Sequence, residues 1–165
     1  MDKLEAHQKA LLHRAFSVFI FNNKHEMLLQ QRAEDKYHSA GLWSNACCSH
    51  PLPNEDTMQA ARRRLMEEMG FDAPLQEAFS FTYKTVFENG LTEFEYDHVF
   101  VGVFNGPVVP DPAEVMGFKF LSLENIRTAL QMNPKQFSTW FGIAFPLLED
   151  HLLQHGFPSS TAKVE

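Results

Sequence analysis

Residues 55–71, EDTMQAARRRLMEEMGF, decide how this chain is to be read. Ala61, Leu65 and Met69 recur every fourth residue, the spacing that lines one face of an α-helix, and the pattern predicts a helix over 55–69. Gly70 follows as a stop, because helices commonly end on a residue that tolerates left-handed backbone. Arg64 and Glu68 stand four apart and share a face. Taken alone they read in two ways: as an ordinary surface ion pair, or as a cation that binds phosphate beside a carboxylate that holds a metal ion.

Working outward, AFSVFIFN (15–22) is apolar, β-branched and aromatic, and predicts a buried strand. NNK punctuates it, EMLLQQR (26–32) returns as a partner strand, and a polar loop over 33–41 leads into LWSNACC. On the other side, strands are expected near 77–87 and 91–104, joined at ENG (88–90). Gly106, Pro107, Pro110 and Pro112 mark a loop, VMGFKFLSL predicts a further strand, and helices are expected over 123–131 and 137–153. In the last helix Phe137, Trp140, Ala144, Leu147, Leu148 and His151 are expected to share a face. This order predicts an α+β fold, a mixed sheet covered by helices, as one domain over 1–154 with a flexible tail over 155–165.

The 165 residues suffice for a substantial core, and a formal charge of −7 argues against a nucleic-acid partner or an anionic membrane surface. An anionic small substrate is still compatible, because clustered Arg and Lys can make a local positive pocket. No apolar run approaches the ~20 residues that span a bilayer, and the polar start MDKLEAHQKA lacks the apolar centre of a signal peptide. Two neighbouring cysteines make no disulfide framework, so a cytoplasmic protein is expected.

NACCSHP (45–51) brings Cys47, Cys48 and His50 together without CxxC spacing. The residues alone admit a metal site, a nucleophile, a redox pair or a buried turn. LTEFEYDHVF places Glu93 and Glu95 two apart on a strand, hence on one face, where they repel unless a cation sits between them. The bland alternative is a solvated face with Phe94 and Tyr96 inward. His7, His13 and His50 are candidate co-ligands, and three imidazoles with two carboxylates suit a six-coordinate divalent ion rather than a structural zinc.

The helix resembles the Nudix signature, with Glu55, seven residues, then Arg63 through Phe71. Arg64 stands where a Nudix hydrolase has a Glu, and Ser49 replaces the opening Gly. An Arg among metal-binding carboxylates repels cations and attracts phosphate oxygens, which argues against diphosphate hydrolysis. HRAFSVFIFN, NACCSHP, the altered helix, TEFEYDHVF and FSTWF together resemble the type 1 isopentenyl-diphosphate isomerases, over residues 4–153. The resemblance implies a Nudix-like fold and interconversion of isopentenyl and dimethylallyl diphosphate without flavin or redox cofactor. By position it implies Cys48, Glu95, Tyr83 and Trp140 as catalytic. His7, His13, His50, Glu93 and Glu95 would ligate one divalent ion (Mn²⁺, Zn²⁺ or Mg²⁺). Glu68 would hold Mg²⁺ against the diphosphate, with Arg32, Lys36 and Arg64 as its basic partners. Cys47, on the other face, is expected to be a small core residue, and a monomer is favoured.

The resemblance sets one geometric requirement. If NG were a two-residue hairpin loop, Tyr83 would face away from the glutamates. If ENG is a three-residue loop with Gly90 left-handed, Tyr83 lies directly opposite Glu95, and this register is the one expected.

Overall fold

The computed structural model describes residues 12–159 apart from Tyr37 and Glu88, and the backbone alone of Glu93. His7 lies outside the described residues. Among the described residues seven strands are found: β1 (His13–Phe21), β2 (Glu26–Arg32), β3 (Trp43–Asn45), β4 (Cys47–Ser49), β5 (Leu75–Val86), β6 (Thr92–Val103) and β7 (Val115–Ser122). Three α-helices accompany them among the described residues: α1 (Thr57–Met69), α2 (Leu123–Met132) and α3 (Thr139–His155), with a 3-10 turn at Pro134–Gln136.

The strands form one sheet in the order β3-β2-β1-β6-β5, with β4 paired to β1 and β7 to β2. The β1–β6 pairing is parallel and the others are antiparallel. Helices cover both faces. Phe19, Phe21, Tyr83, Val99 and Val101 pack against Trp140, Phe141 and Phe145 of α3. Phe16, Val18, Ile20 and Cys47 pack on the opposite face against Ala60, Ala61, Leu65 and Met69 of α1. The expected mixed sheet between helices is therefore present. Coverage on both sides explains why β1 is a continuous apolar run rather than an alternating one.

The ends of α1 follow from its caps. The Asp56 side chain accepts a hydrogen bond from the Gln59 amide, so the helix starts at Thr57 and not at 55. Gly70 closes it at φ 77°, donating its N–H to Met66 O. The last helix is displaced from its expected 137–153. Phe137 is extended, and Ser138 caps α3 by accepting from the Phe141 amide. Its buried face is Trp140, Phe141, Ala144, Phe145, Leu148 and Leu152, whereas Leu147 is 39% exposed. The helix is apolar nearly all round, so sequence periodicity set the face a few tens of degrees off. α3 runs through His155 into the stretch expected as a tail, and Phe157 beyond it packs on Phe21 and His25.

The hairpin has the expected register. Phe87 and Leu91 close a three-residue loop, Gly90 lies at φ 82°, and Tyr83 pairs with Glu95. β1 begins at His13, two residues before the expected start, because its parallel pairing continues to His13–Glu95.

Candidate active site

Strand register builds one face of the site before any side chain is considered. Glu95 on β6 is flanked by His13 of β1 and Tyr83 of β5. Two residues along, Asp97 pairs with Ala15, and Ser17 further along β1 pairs with Cys48 of β4. Directly paired residues share a face, so His13, Ser17, Cys48, Tyr83, Glu95 and Asp97 all point toward α3. Arg32, His38, Cys48, His50, Glu95, Asp97 and Trp140 line a single pocket there.

At its rim, three ligand atoms converge. His13 Nε2 lies 2.8 Å from His50 Nε2, which lies 2.8 Å from Glu95 Oε1, and His13 Nε2 is 3.5 Å from that same oxygen. Two imidazole nitrogens facing at this distance share at most one proton between them. Ligands held ~2.1 Å from a divalent ion and at right angles stand about 3.0 Å apart. The triangle thus fits a divalent metal ion, and this group can hold one. Of Glu93 only the backbone is described, opposite Thr85.

Cys48 sits deeper. Its Sγ is 3.0 Å from Asn45 Oδ1 and 3.5 Å from Ser17 Oγ, and Ser17 donates to Asp97 Oδ2 at 2.9 Å. Burial, reinforced by the Asp97 charge, pushes the Cys48 thiol up to about 12, so the resting group is a protonated thiol. Trp140 is 4% exposed, with the Arg32 guanidinium carbon 5.1 Å from its ring centroid and the His38 ring edge-on at 5.8 Å. A ring that already accepts a guanidinium on its face is electrostatically suited to a cation.

Cys47 points through β4 to the other side. It is buried as expected of a core residue, but it also donates to Glu68 Oε2 at 3.0 Å. Burial, then the Glu68 charge, holds this thiol well above its ordinary value. Arg64 Nη2 lies 3.4 Å from Glu68 Oε2 and 3.6 Å from Glu114 Oε1, and Lys36 Nζ pairs with Glu114. Burial opposes the ionisation of Glu114, but Lys36 and Arg64 outweigh it and its carboxyl falls below the ordinary value. Lys36, Arg64 and Glu68 therefore form one cluster about Glu114, while Arg32 lies in the pocket with Cys48. The buried Nε atoms of Arg32 and Arg64 have no hydrogen-bond partner among the described residues. Two buried guanidinium N–H groups are thus on offer to an anion.

Ser17, His38, Asn45, Asp97 and Glu114 belong to these surroundings and do not stand out in the sequence. Asp97 alone carried a signal, since it continues the two-residue period of Glu93 and Glu95 and so shares their face. His38 and Glu114 lie in loops, where no periodicity announces a direction.

Fold and site define the class: a NUDIX domain matches residues 11–141. The MutT protein from Methanosarcina mazei Go1 shares the fold with a TM-score of 0.70 at 22% identity, over 84% of this chain and 94% of that one. Sequence similarity narrows the class further. Isopentenyl-diphosphate Delta-isomerase of Pectobacterium atrosepticum is 49% identical over 151 residues, 92% of this chain and 84% of that protein. Isopentenyl-diphosphate Delta-isomerase 2 of Aromatoleum aromaticum is 50% identical over 138 residues, 84% of this chain and 73% of its own. The chain belongs to the isopentenyl-diphosphate Delta-isomerase family.

Proposed function

We propose that the protein interconverts isopentenyl and dimethylallyl diphosphate by adding a proton to the terminal carbon of the alkene and removing one from the saturated carbon beside the other alkene carbon. The observation that carries this reading is the lining of one pocket by a half-buried thiol, Cys48, a buried carboxylate, Glu95, and the Trp140 ring. Moving a double bond this way needs two proton-handling groups and a wall that tolerates positive charge, and hydrolysis needs no such wall. Cys48 and Glu95 exchange the two protons, and Tyr83, paired with Glu95 in the sheet, orients the carboxylate. Positive charge that develops on the tertiary carbon lies against Trp140, where a desolvated cation–π contact contributes about 2 kcal/mol. Arg32 and Trp140 are both buried, which keeps water from trapping that carbon.

Arg32, Lys36 and Arg64 bind the diphosphate oxygens, the buried Nε atoms of Arg32 and Arg64 gaining the acceptors they need. Glu68 would hold Mg²⁺, which when bound supplies positive charge that offsets the negative charge of the diphosphate. His13, His50 and Glu95, with His7 and Glu93, hold a second divalent ion (Mn²⁺, Zn²⁺ or Mg²⁺), which when bound supplies fixed positive charge beside the Glu95 carboxylate. The pairing of His13 with Glu95 across β1 and β6 then keeps that carboxylate aimed into the pocket.

The test is a proton-exchange assay in D₂O. Wild type and Cys48→Ala are incubated with isopentenyl diphosphate and Mg²⁺, and deuterium uptake and free phosphate are followed by NMR. Deuterated dimethylallyl diphosphate from wild type, none from the variant and no free phosphate are expected. Phosphate release without isomerisation would make the protein a hydrolase and overturn the reading.

A further inference from the structure

The geometry points to Asp97 as a positioning residue for Cys48, acting through the hydroxyl of Ser17. The inference rests on Cys48 being the proton-handling thiol of the proposed reaction.

A serine hydroxyl has one proton and two lone pairs. Ser17 gives its proton to Asp97 Oδ2 at 2.9 Å, so toward Cys48, 3.5 Å away, it offers only lone pairs. Asn45 meets Cys48 in the same sense. Its amide N–H groups go to Val18 O at 2.9 Å and Cys47 O at 3.0 Å, which fixes the side chain with Oδ1 toward Sγ at 3.0 Å. Both polar neighbours of the thiol are therefore acceptors, and the orientation of one of them depends on Asp97. The arrangement is rigid: Ser17 is 0% exposed, Asn45 1% and Asp97 2%, each on a strand.

A carboxylate at that depth is costly to bury, and packing alone does not call for one. Asp97 lies one pleat beyond Glu95 on the same face of β6 and lines the same pocket. Without its acceptor, the Ser17 hydroxyl is free to turn and present its proton to the sulfur. The sulfur then accepts from Ser17 while its own proton is confined to Asn45 Oδ1, so the thiol loses the second acceptor toward which the S–H can turn within the pocket. Removing Asp97 should slow the chemical step and leave diphosphate binding alone, because the basic residues assigned to the diphosphate are Arg32, Lys36 and Arg64.

The experiment compares wild type, Asp97→Asn, Asp97→Ala, Ser17→Ala and the double variant Ser17→Ala/Asp97→Ala with isopentenyl diphosphate. The infrared S–H stretch of Cys48, identified by its loss in Cys48→Ser, is recorded for each without substrate. Asp97→Ala is expected to lower kcat about tenfold with KM within about twofold, and to shift the S–H band. Asp97→Asn keeps an acceptor oxygen and should stay within about threefold of wild type. Adding Asp97→Ala to Ser17→Ala should cost much less than Asp97→Ala alone, since the orienting route runs through that hydroxyl and only the direct effect of the Asp97 charge on the thiol is then lost. Ser17→Ala and Asp97→Asn retain the inference's force if Asp97→Ala does not fold. An unshifted band, a KM that rises as kcat falls, additive losses in the double variant, or Asp97→Asn as impaired as Asp97→Ala would each overturn it. An inactive wild type would instead overturn the proposed function, so the two failures are separable.

Discussion

Glu95 has its neighbours set by backbone register, with His13 on one side and Tyr83 on the other. On the proposed mechanism Glu95→Gln removes both a ligand charge and a proton-handling group. Isomerisation should fall by about 10² to 10⁴, and metal analysis after dialysis should show less divalent ion bound than in wild type. On the same proposal Arg64 serves a different step. It is the cation beside buried Glu68, 3.4 Å away, and its Nε is on offer to an anion. Arg64→Ala should raise KM for the diphosphate at least tenfold, the equivalent of about 1.5–3 kcal/mol for a charge-assisted hydrogen bond, with a smaller change in kcat. At this scale the sequence was informative where a motif names a position, as NACCSHP does for Cys48 and His50. It was silent where partners come from distant strands: nothing near Ser17 in the chain indicates that Asp97 will accept its proton.

The elements are held by a few local devices, and α1 depends on two of them. A Cβ at Gly70 would lie 2.2 Å from Val109 O, and the residue sits at φ 77°. Gly70→Ala should therefore destabilise the fold by about 2–4 kcal/mol in denaturant unfolding, clash and left-handed backbone acting together. At the other end, hydrogen bonds from Arg63 and the Leu52 amide hold the Glu55 carboxyl down to about 2. A depressed carboxyl stabilises the fold fully above its unfolded value of about 4.3 and loses that contribution as pH falls toward 2. The difference in Tm between wild type and Glu55→Gln should be constant from pH 7 to 5 and vanish near pH 2. Helices with one apolar stripe, such as α1, were legible in the sequence to within two residues. The face of α3 was not, because a helix apolar nearly all round has no strong preference in its pattern, and the Ser138 cap moved its start.

For the molecule as a whole, the His13, His50 and Glu95 group joins β1, β6 and the segment after β4, so an ion there cross-links three parts of the chain. Chelation should lower Tm, and an ion at a hundredfold excess over its Kd should restore about 2.7 kcal/mol of stability. His13→Ala should show a Tm much less sensitive to chelator. The α+β architecture was readable from element order, but the parallel pairing of β1 with β6 was not, since no local pattern encodes which distant strand a buried strand will choose.

That pairing also has a history. β1 and β6 meet through nine residue pairs from His13–Glu95 to Phe21–Val103, with the whole stretch 22–91 threaded between them. Contacts so far apart in the chain carry a heavy loop-closure cost and form slowly, whereas the β5–β6 hairpin closes locally. During refolding Tyr83 and Glu95 should come together early, and Ser17 should meet Asp97 only when the first strand docks. Competence for chemistry would then be among the last properties the newly made chain acquires.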